Sequence, residues 1–406
     1  MAIVSRGGGG GGAGGGATRD AGGGPEQVRT NRPPGTGPIW GRKAEMQAVV
    51  DAFAKAQKAQ RSGTVEICGP AGSGATSVAV ELARRAGGRF PGGAWLLRAD
   101  LGPDLAWADL AACRVDRPIR DLASTAAEER RHFAAPPRAL LVVDGVTAGA
   151  PLDAILPPDS DARADVFLVS DEPSGRFEAV VRVSPVPEHA PRRIAHSVLR
   201  VRDGDDLVPP IVRSTDGLAV TASLAARVSV FHHPQGPARN VASVQDAVMQ
   251  IVPMAAQHPA ALELLLVCGV AHPTLITADA LYGALVHLRR QRGIELKDDD
   301  VGNGVLHLVR LGLLTLEEES RVSMHPLLQE VVRGMARSEA DLEVAREGLA
   351  AGLIEEADAA IGDDGVDVRR AGLHQLRHLR DATEGALRER LDAAVQRVEA
   401  ALGMSA

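Results

Sequence analysis

Apolar positions follow two patterns along this chain. In the first half, short continuous apolar runs recur at 64–68, 94–99, 138–144 and 165–169, with a weaker one at 179–183. Runs of that length, apolar throughout rather than alternating, fit strands of a parallel sheet covered on both faces. Between them the spacing becomes helical. Met46, Val49, Val50 and Phe53 share one face over 45–59, and Val78, Leu82 and Ala86 share one over 77–86. Another helical region reaches Phe133, interrupted at Pro118. Strand alternating with helix predicts a parallel α/β sheet of about five strands.

After residue 190 the strand signal stops. Helical spacing marks 192–199, 217–230 and most of the chain from Ser243, including the apolar stretch 262–267 and an amphipathic helix over 278–289. Residues 305–316 run from a helix into a short strand. Glu317, Glu318 and Glu319 read as a solvated turn, and 321–324 as a returning strand. Pro326 opens a further helix over 327–336, because proline suits a first turn. Helix, strand, turn and strand in that order predict a winged helix. Residues 339–406 read as two or three helices rich in Ala and Leu, with no strand.

The N-terminal stretch has a different composition. Glycines fill 7–12, 14–16 and 22–24, and Pro33, Pro34 and Pro38 follow, which reads as a flexible tail. The expected division is a tail over 1–37, an α/β domain over 38–200 and a helical subdomain over 201–255. A winged helix over 256–337 and a helical tail over 338–406 complete it.

Composition narrows the function classes. Hydrophobic residues are 45% of the chain but aromatic ones only 2%, so the core must be Ala, Val and Leu. A net charge of −7 gives no electrostatic case for nucleic acid as the main partner. Cys68, Cys113 and Cys268 lie far apart and read as buried thiols of a cytoplasmic protein, not as a disulfide or metal set. No apolar run reaches the ~20 residues of a membrane span. His232 and His233 lack a third ligand at a workable spacing and read as part of a loop.

The densest chemical signal is Gly69-Pro70-Ala71-Gly72-Ser73-Gly74-Ala75-Thr76, between the 64–68 strand and the 77–86 helix. Strand, Gly-rich turn and helix is the context of a phosphate-binding P-loop. Its glycines let backbone N–H groups curl around phosphate oxygens, and the helix N-terminus adds its positive end. Against the pattern G-x-x-x-x-G-K-[ST], one defining position fails: Ala75 stands where the lysine belongs. The 138–144 run ends in Asp144, at the sheet edge where open α/β folds bind ligands. Asp144 and the Thr76 hydroxyl are the candidate Mg²⁺ ligands. The fold class is therefore α/β: a P-loop NTPase parallel sheet, a helical subdomain, a winged helix and a short helical tail.

Five motifs occur in one order: Trp40-Gly41-Arg42-x-x-Glu45-Met46, the P-loop, the Asp144 strand, Asp216-Gly217-Leu218-Ala219 and Met324-His325-Pro326-Leu327. Together, over roughly 38–337, they resemble the NB-ARC family of STAND signalling ATPases, especially bacterial members that precede tetratricopeptide repeats. The resemblance implies ADP or ATP with Mg²⁺. It places Gly41 and Arg42 beside the adenine and Gly217 and Leu218 on the base. Gly69, Gly72, Ser73, Gly74, Ala75, Thr76 and Ser77 would lie around the phosphates, and His325 at the β-phosphate. It also implies protein partners that supply a sensor or effector, and leaves oligomerisation on activation open.

Four nucleotide-facing positions depart from that family. Ala75 replaces the lysine. Gly145 replaces a second acid. Ser170-Asp171-Glu172 stands where a sensor arginine usually ends a strand. Ala219 replaces a proline. Arg84 and Arg85 lie too far along the helix to substitute for the lysine. The expectation is a nucleotide-binding switch or scaffold with weak or absent hydrolysis, and no catalytic residue is assigned. An active ATPase of the same class and a winged-helix DNA-binding regulator remain the alternatives. Arg310, Arg321, Arg333 and Arg337 form no basic stripe for the latter.

Overall fold

The computed structural model describes residues 39–58, 63–115, 119, 121–158, 164–187, 190–199, 216–232, 241–297, 299–316, 321–336, 338–362 and 366–404. The expected tail over 1–37, the break at Pro118, His233 and the turn at Glu317, Glu318 and Glu319 lie outside them.

In the first half, α1 (Lys43–Lys58) leads into β1 (Thr64–Cys68), α2 (Ala75–Ala86), β2 (Ala94–Arg98), α3 (Pro103–Val115) and α4 (Leu122–Ala134). Then come β3 (Ala139–Val146), the short α5 (Leu152–Ile155), β4 (Ala164–Ser170) and β5 (Val180–Arg182). The strands pair in parallel in the order β2-β3-β4-β1-β5. The two glycine- and acid-bearing strands, β1 and β3, are therefore not neighbours; β4 separates them. Both faces of the sheet are covered, as continuous apolar strands require. Val65, Ile67, Leu140, Val142 and Phe167 pack under α1 and α2. The alternate residues Leu141, Val143, Val166 and Leu168 pack under Trp107, Leu110 and Phe133 of α3 and α4.

The N-terminal edge of the sheet is closed by Asp165, which has no exposure. Its carboxylate accepts two hydrogen bonds from Arg138, at 2.6 and 2.7 Å, and one from the Gly63 N–H at 2.6 Å. A buried carboxylate needs such partners.

The second half is α6 (Ala190–Leu199), α7 (Ala219–His232), α8 (Val244–Ala255), α9 (Ala261–Val270), β6 (Ile276–Thr277), α10 (Ala278–Gln291) and α11 (Asp300–Leu311). It continues through β7 (Thr315–Leu316), β8 (Arg321–Ser323), α12 (Pro326–Met335), α13 (Glu339–Gly362), α14 (Val368–Ala371), α15 (Leu373–Asp381) and α16 (Gly385–Ala401). The expected β7–β8 pairing is antiparallel, and β6 adds to it in the order β6-β8-β7. Two-residue β6 carries too little pattern to be read from sequence. Pro326 stands in the first turn of α12, as expected. The tail holds four helices rather than two or three, because Gly372, at φ +58°, turns the chain between α14 and α15. A single apolar core runs through α7 to α16 and takes in Leu105, Ala108 and Leu122 from α3 and α4. No helix among the described residues is long and apolar enough to cross a membrane.

The closest helix approach is α10 on α13, where Gly283 and Gly352 meet backbone to backbone. A Cβ on Gly352 would lie 2.1 Å from the Ala280 carbonyl oxygen. Gly352→Ala is predicted to cost about 1–3 kcal/mol in urea unfolding, the usual range for overpacking. Gly334→Ala in α12, with nothing within 4 Å of the added Cβ, should instead stabilise by roughly 0.4–1 kcal/mol. Equal effects at the two sites would refute the close-packed crossing.

Glu356 of α13 accepts a 2.9 Å hydrogen bond from the Thr277 hydroxyl, which also caps α10. Burial, with Asp279 adding to it, pushes Glu356 up to about 7, against the opposing effects of Thr277 and Arg370. A carboxyl raised on folding stabilises fully below its unfolded value of 4.5, and that contribution is lost as pH rises through about 7. Glu356→Gln should therefore match the parent near pH 5 and unfold at ~1–3 kcal/mol higher free energy near pH 8. Parallel pH–stability curves for the two proteins would contradict this.

Candidate functional site

The loop after β1 is shaped by its glycines. The Gly69 N–H donates to the Ser170 carbonyl on β4 at 3.1 Å, and the Ser73 N–H donates to the Pro70 carbonyl at 2.9 Å. Gly72 (φ +80°) and Gly74 (φ +94°) are left-handed, a conformation a side chain disfavours. Gly74 begins α2 and offers no side-chain cap. The first N–H groups of α2, from Ala75, Thr76 and Ser77, thus have no acceptor inside the helix, and the helix dipole adds positive potential there. Ser73 Oγ is buried and has no hydrogen-bond partner among the described residues. Uncapped amide donors, a positive helix end and an orphaned hydroxyl fit an anion such as phosphate. Ala75 adds no charge; it is 7% exposed and joins the apolar face under the sheet.

The Thr76 hydroxyl donates to Asp144 Oδ1 at 2.8 Å, so the two expected Mg²⁺ ligands meet. Burial raises the Asp144 carboxyl above its ordinary value, partly offset by Arg98 and by the Thr76 hydrogen bond. Arg98 is the register partner of Asp144 on β2, and it donates to the Asp100 carboxylate at 3.3 and 3.4 Å. Burial opposes the Arg98 charge, but Asp100, Asp144 and Asp109 together outweigh it and hold the guanidinium protonated. Sequence reasoning overlooked Arg98; its only local signal was a cation closing an apolar strand. At Gly145 (φ +77°) a Cβ would lie 3.2 Å from Asp100 Oδ1, so the place of the absent second acid borders another carboxylate.

Where a sensor arginine was absent from the sequence, Ser170 instead donates to Glu66 at 3.0 Å. Glu66 lies fully buried in β1 and also accepts from the Ser174 N–H at 2.7 Å and the Ser174 hydroxyl at 3.1 Å. Asp171 and Glu172 point into solvent. An acid inside an otherwise apolar strand was the overlooked sign of this network.

Arg42 is 2% exposed and clamps the loop from behind. Its guanidinium donates to the Ser73 carbonyl at 2.6 Å, the Ser184 carbonyl at 2.5 Å and Glu45 at 3.0 Å. Gly41 packs against Pro187 and Ala190, and Gly217 against Pro185, so both glycines border the chain leaving β5. The Leu218 N–H donates to Asp216 at 2.9 Å, which starts α7, and the Ala219 N–H donates to the Gly72 carbonyl at 3.1 Å. His325 caps α12: its Nδ1 accepts from the Leu327 N–H at 3.2 Å, which puts the ring proton on Nε2. Burial lowers His325 to about 4, so it is neutral at pH 7. Val220 of α7 and Leu327 of α12 both close over Gly72, within 2.7 and 2.9 Å of where its Cβ would be. Residues from five distant stretches thus converge on one loop. Arg84 and Arg85 turn away, both paired with Glu81.

No protein-family model matches the chain, and no curated protein sequence matches it. Its fold is similar to that of a Signal Transduction ATPase with Numerous Domains (STAND) protein with a tetratricopeptide repeat sensor from Pyrococcus horikoshii. That similarity has 13% identity and a TM-score of 0.52, covering 93% of this chain and 54% of that one. The chain therefore spans about half the length of that protein. A weaker similarity, with 14% identity and a TM-score of 0.39, is to the ORC2 protein of Aeropyrum pernix, over 77% of this chain and 95% of that one.

The Arg42 contacts generate a prediction. Arg42→Gln should lower the unfolding free energy by about 1.5–3 kcal/mol, the range for hydrogen bonds from a charged donor. Urea titration reads this directly, and a loss below roughly 0.5 kcal/mol, the scale of a surface substitution, would show that the clamp is not formed.

Proposed function

We propose that this chain is a nucleotide-binding signalling switch of the STAND type, holding ADP or ATP with weak or absent hydrolysis and acting through conformation and protein partners. The observation that carries this reading is the convergence on Gly72. The N-terminal turns of α7 and α12 close over Gly72 of the loop, and the Thr76–Asp144 pair stands at its other end. Such an arrangement makes the position of the winged helix sensitive to what the loop holds. The similarity in fold to a STAND ATPase supports the same reading.

In this reading the N–H groups of Gly74 to Ser77 bind phosphate oxygens, and Thr76 and Asp144 hold Mg²⁺, which would neutralise phosphate charge. Gly41, Arg42, Gly217 and Leu218 form the base end of the site, and His325 the winged-helix end. Without a lysine at 75 the loop loses a charge-assisted contact of ~1.5–3 kcal/mol, or roughly ten- to a hundredfold in affinity. Arg98 is engaged by Asp100, beside Gly145, so it does not supply the positive charge that phosphoryl transfer needs and Ala75 lacks.

Restoring the lysine tests the assignment. Ala75→Lys should raise nucleotide affinity by ~1.5–3 kcal/mol and produce a Mg-ATP-dependent rise in melting temperature, since a ligand bound to the folded state stabilises it. Phosphate release should stay near background. No ligand-dependent shift in Ala75→Lys would show that the pocket does not take nucleotide. Brisk hydrolysis would show instead that an active ATPase is the correct reading.

A further inference from the structure

Arg98 faces two regions at once. On one side its strand partner is Asp144, hydrogen-bonded to Thr76 of the P-loop. On the other it lines a cavity of about 30 Å³ with Asp109 of α3, Thr274, Arg321 of β8, Arg369 of α14 and His374 of α15. The α/β unit, the winged helix and the C-terminal helices all meet there. The C-terminal helices are docked around this cavity by specific contacts. α14 packs on α3, and the Leu122 N–H at the start of α4 donates to the Leu402 carbonyl at 2.8 Å. The Gln375 side chain bridges the winged helix, accepting from the His272 N–H at 2.8 Å and donating to the His272 carbonyl at 3.1 Å.

The charges at this junction are close to balance. Arg98, Arg321 and Arg369 share it with Asp100, Asp109 and Asp367, and Arg369 is paired with Asp367 at 3.2 Å. Asp144 is a further carboxylate beside Arg98, on its P-loop side. Its negative charge attracts the Arg98 guanidinium from the neighbouring strand. If that charge is neutralised, Arg98 loses one of its compensating carboxylates at a cavity that Arg321 and Arg369 also line. Like charges sharing a partly buried site repel one another.

We propose that Arg98 couples the Thr76–Asp144 site to the docking of the C-terminal helices, so that a divalent cation at Asp144 loosens α14 and α15 from the α/β unit. The role of the cation rests on the nucleotide-site reading above; the coupling between Asp144, Arg98 and the C-terminal helices does not. Arg98 is a positioning residue here and touches no phosphate.

The test is a double-substitution cycle in the full chain, read by amide hydrogen exchange over 366–381. Asp144→Asn, which keeps an oxygen for the Thr76 hydroxyl, should speed exchange there by roughly two- to tenfold, in the range of couplings between interacting residues. In an Arg98→Gln background the same substitution should have no effect. Equal effects of Asp144→Asn in both backgrounds, or no effect in either, would overturn the coupling. The parent protein is then given Mg²⁺ and ADP, with binding followed by titration calorimetry. Bound Mg-ADP that speeds exchange over 366–381 supports the role of the cation, and bound Mg-ADP that leaves it unchanged overturns it. Absence of binding would defeat the nucleotide-site reading and, with it, the role of the cation, while the cycle still decides the coupling.

Discussion

The arrangement depends on one missing methyl group. Gly72 carries no Cβ, and the space where one would stand is taken by Val220 and Leu327. A substituted residue there would be strained by its left-handed backbone and would push both helices off the loop. α7 and α12 both reach the loop through their N-terminal turns, at Val220 and Leu327. Their first amide donors are taken, by the Gly72 carbonyl in α7 and by His325 in α12, which leaves the uncapped donors to α2. The Ala219 N–H is already spent on the Gly72 carbonyl, so the loop and the helical half are joined by a hydrogen bond as well as by packing.

The chemistry of the site is divided between a preserved geometry and an altered charge set. Thr76 and Asp144 are hydrogen-bonded to each other beside the loop, and Gly72 and Gly74 hold its left-handed turns. The cation that would grip phosphate is absent from the loop at Ala75. Two of the arginines nearby have partners of their own. Arg42 serves backbone carbonyls, and Arg98 is shared among Asp100, Asp144 and Asp109. Binding and conformational response need only the geometry, while rapid phosphoryl transfer needs the charge as well. That split is the ground on which we propose a switch and not an efficient ATPase.

The strands were legible because each is buried on both faces, and such strands must be apolar along their whole length. The 64–68, 94–99, 138–144 and 165–169 runs all became strands for that reason. The P-loop was legible because its backbone demands glycine at fixed spacing, and Pro326 was legible because proline suits the first turn of a helix. Those are local constraints, written within a few residues of the feature they produce.

Strand order, by contrast, left no local mark: nothing in 164–170 says that β4 lies between β1 and β3. The same holds for every long-range polar partner. Nothing near Arg42 in the chain says that its guanidinium will meet the carbonyls of Ser73 and Ser184. Arg98 reads as the end of a strand until pairing sets it beside Asp144, and Glu66 as an oddity until Ser170 and Ser174 cover it. A chain pattern records which face a residue must hide. Which distant charge it will meet is settled only when strands register and helices dock, because Coulombic and hydrogen-bond partners are selected by proximity in space and not by spacing along the chain.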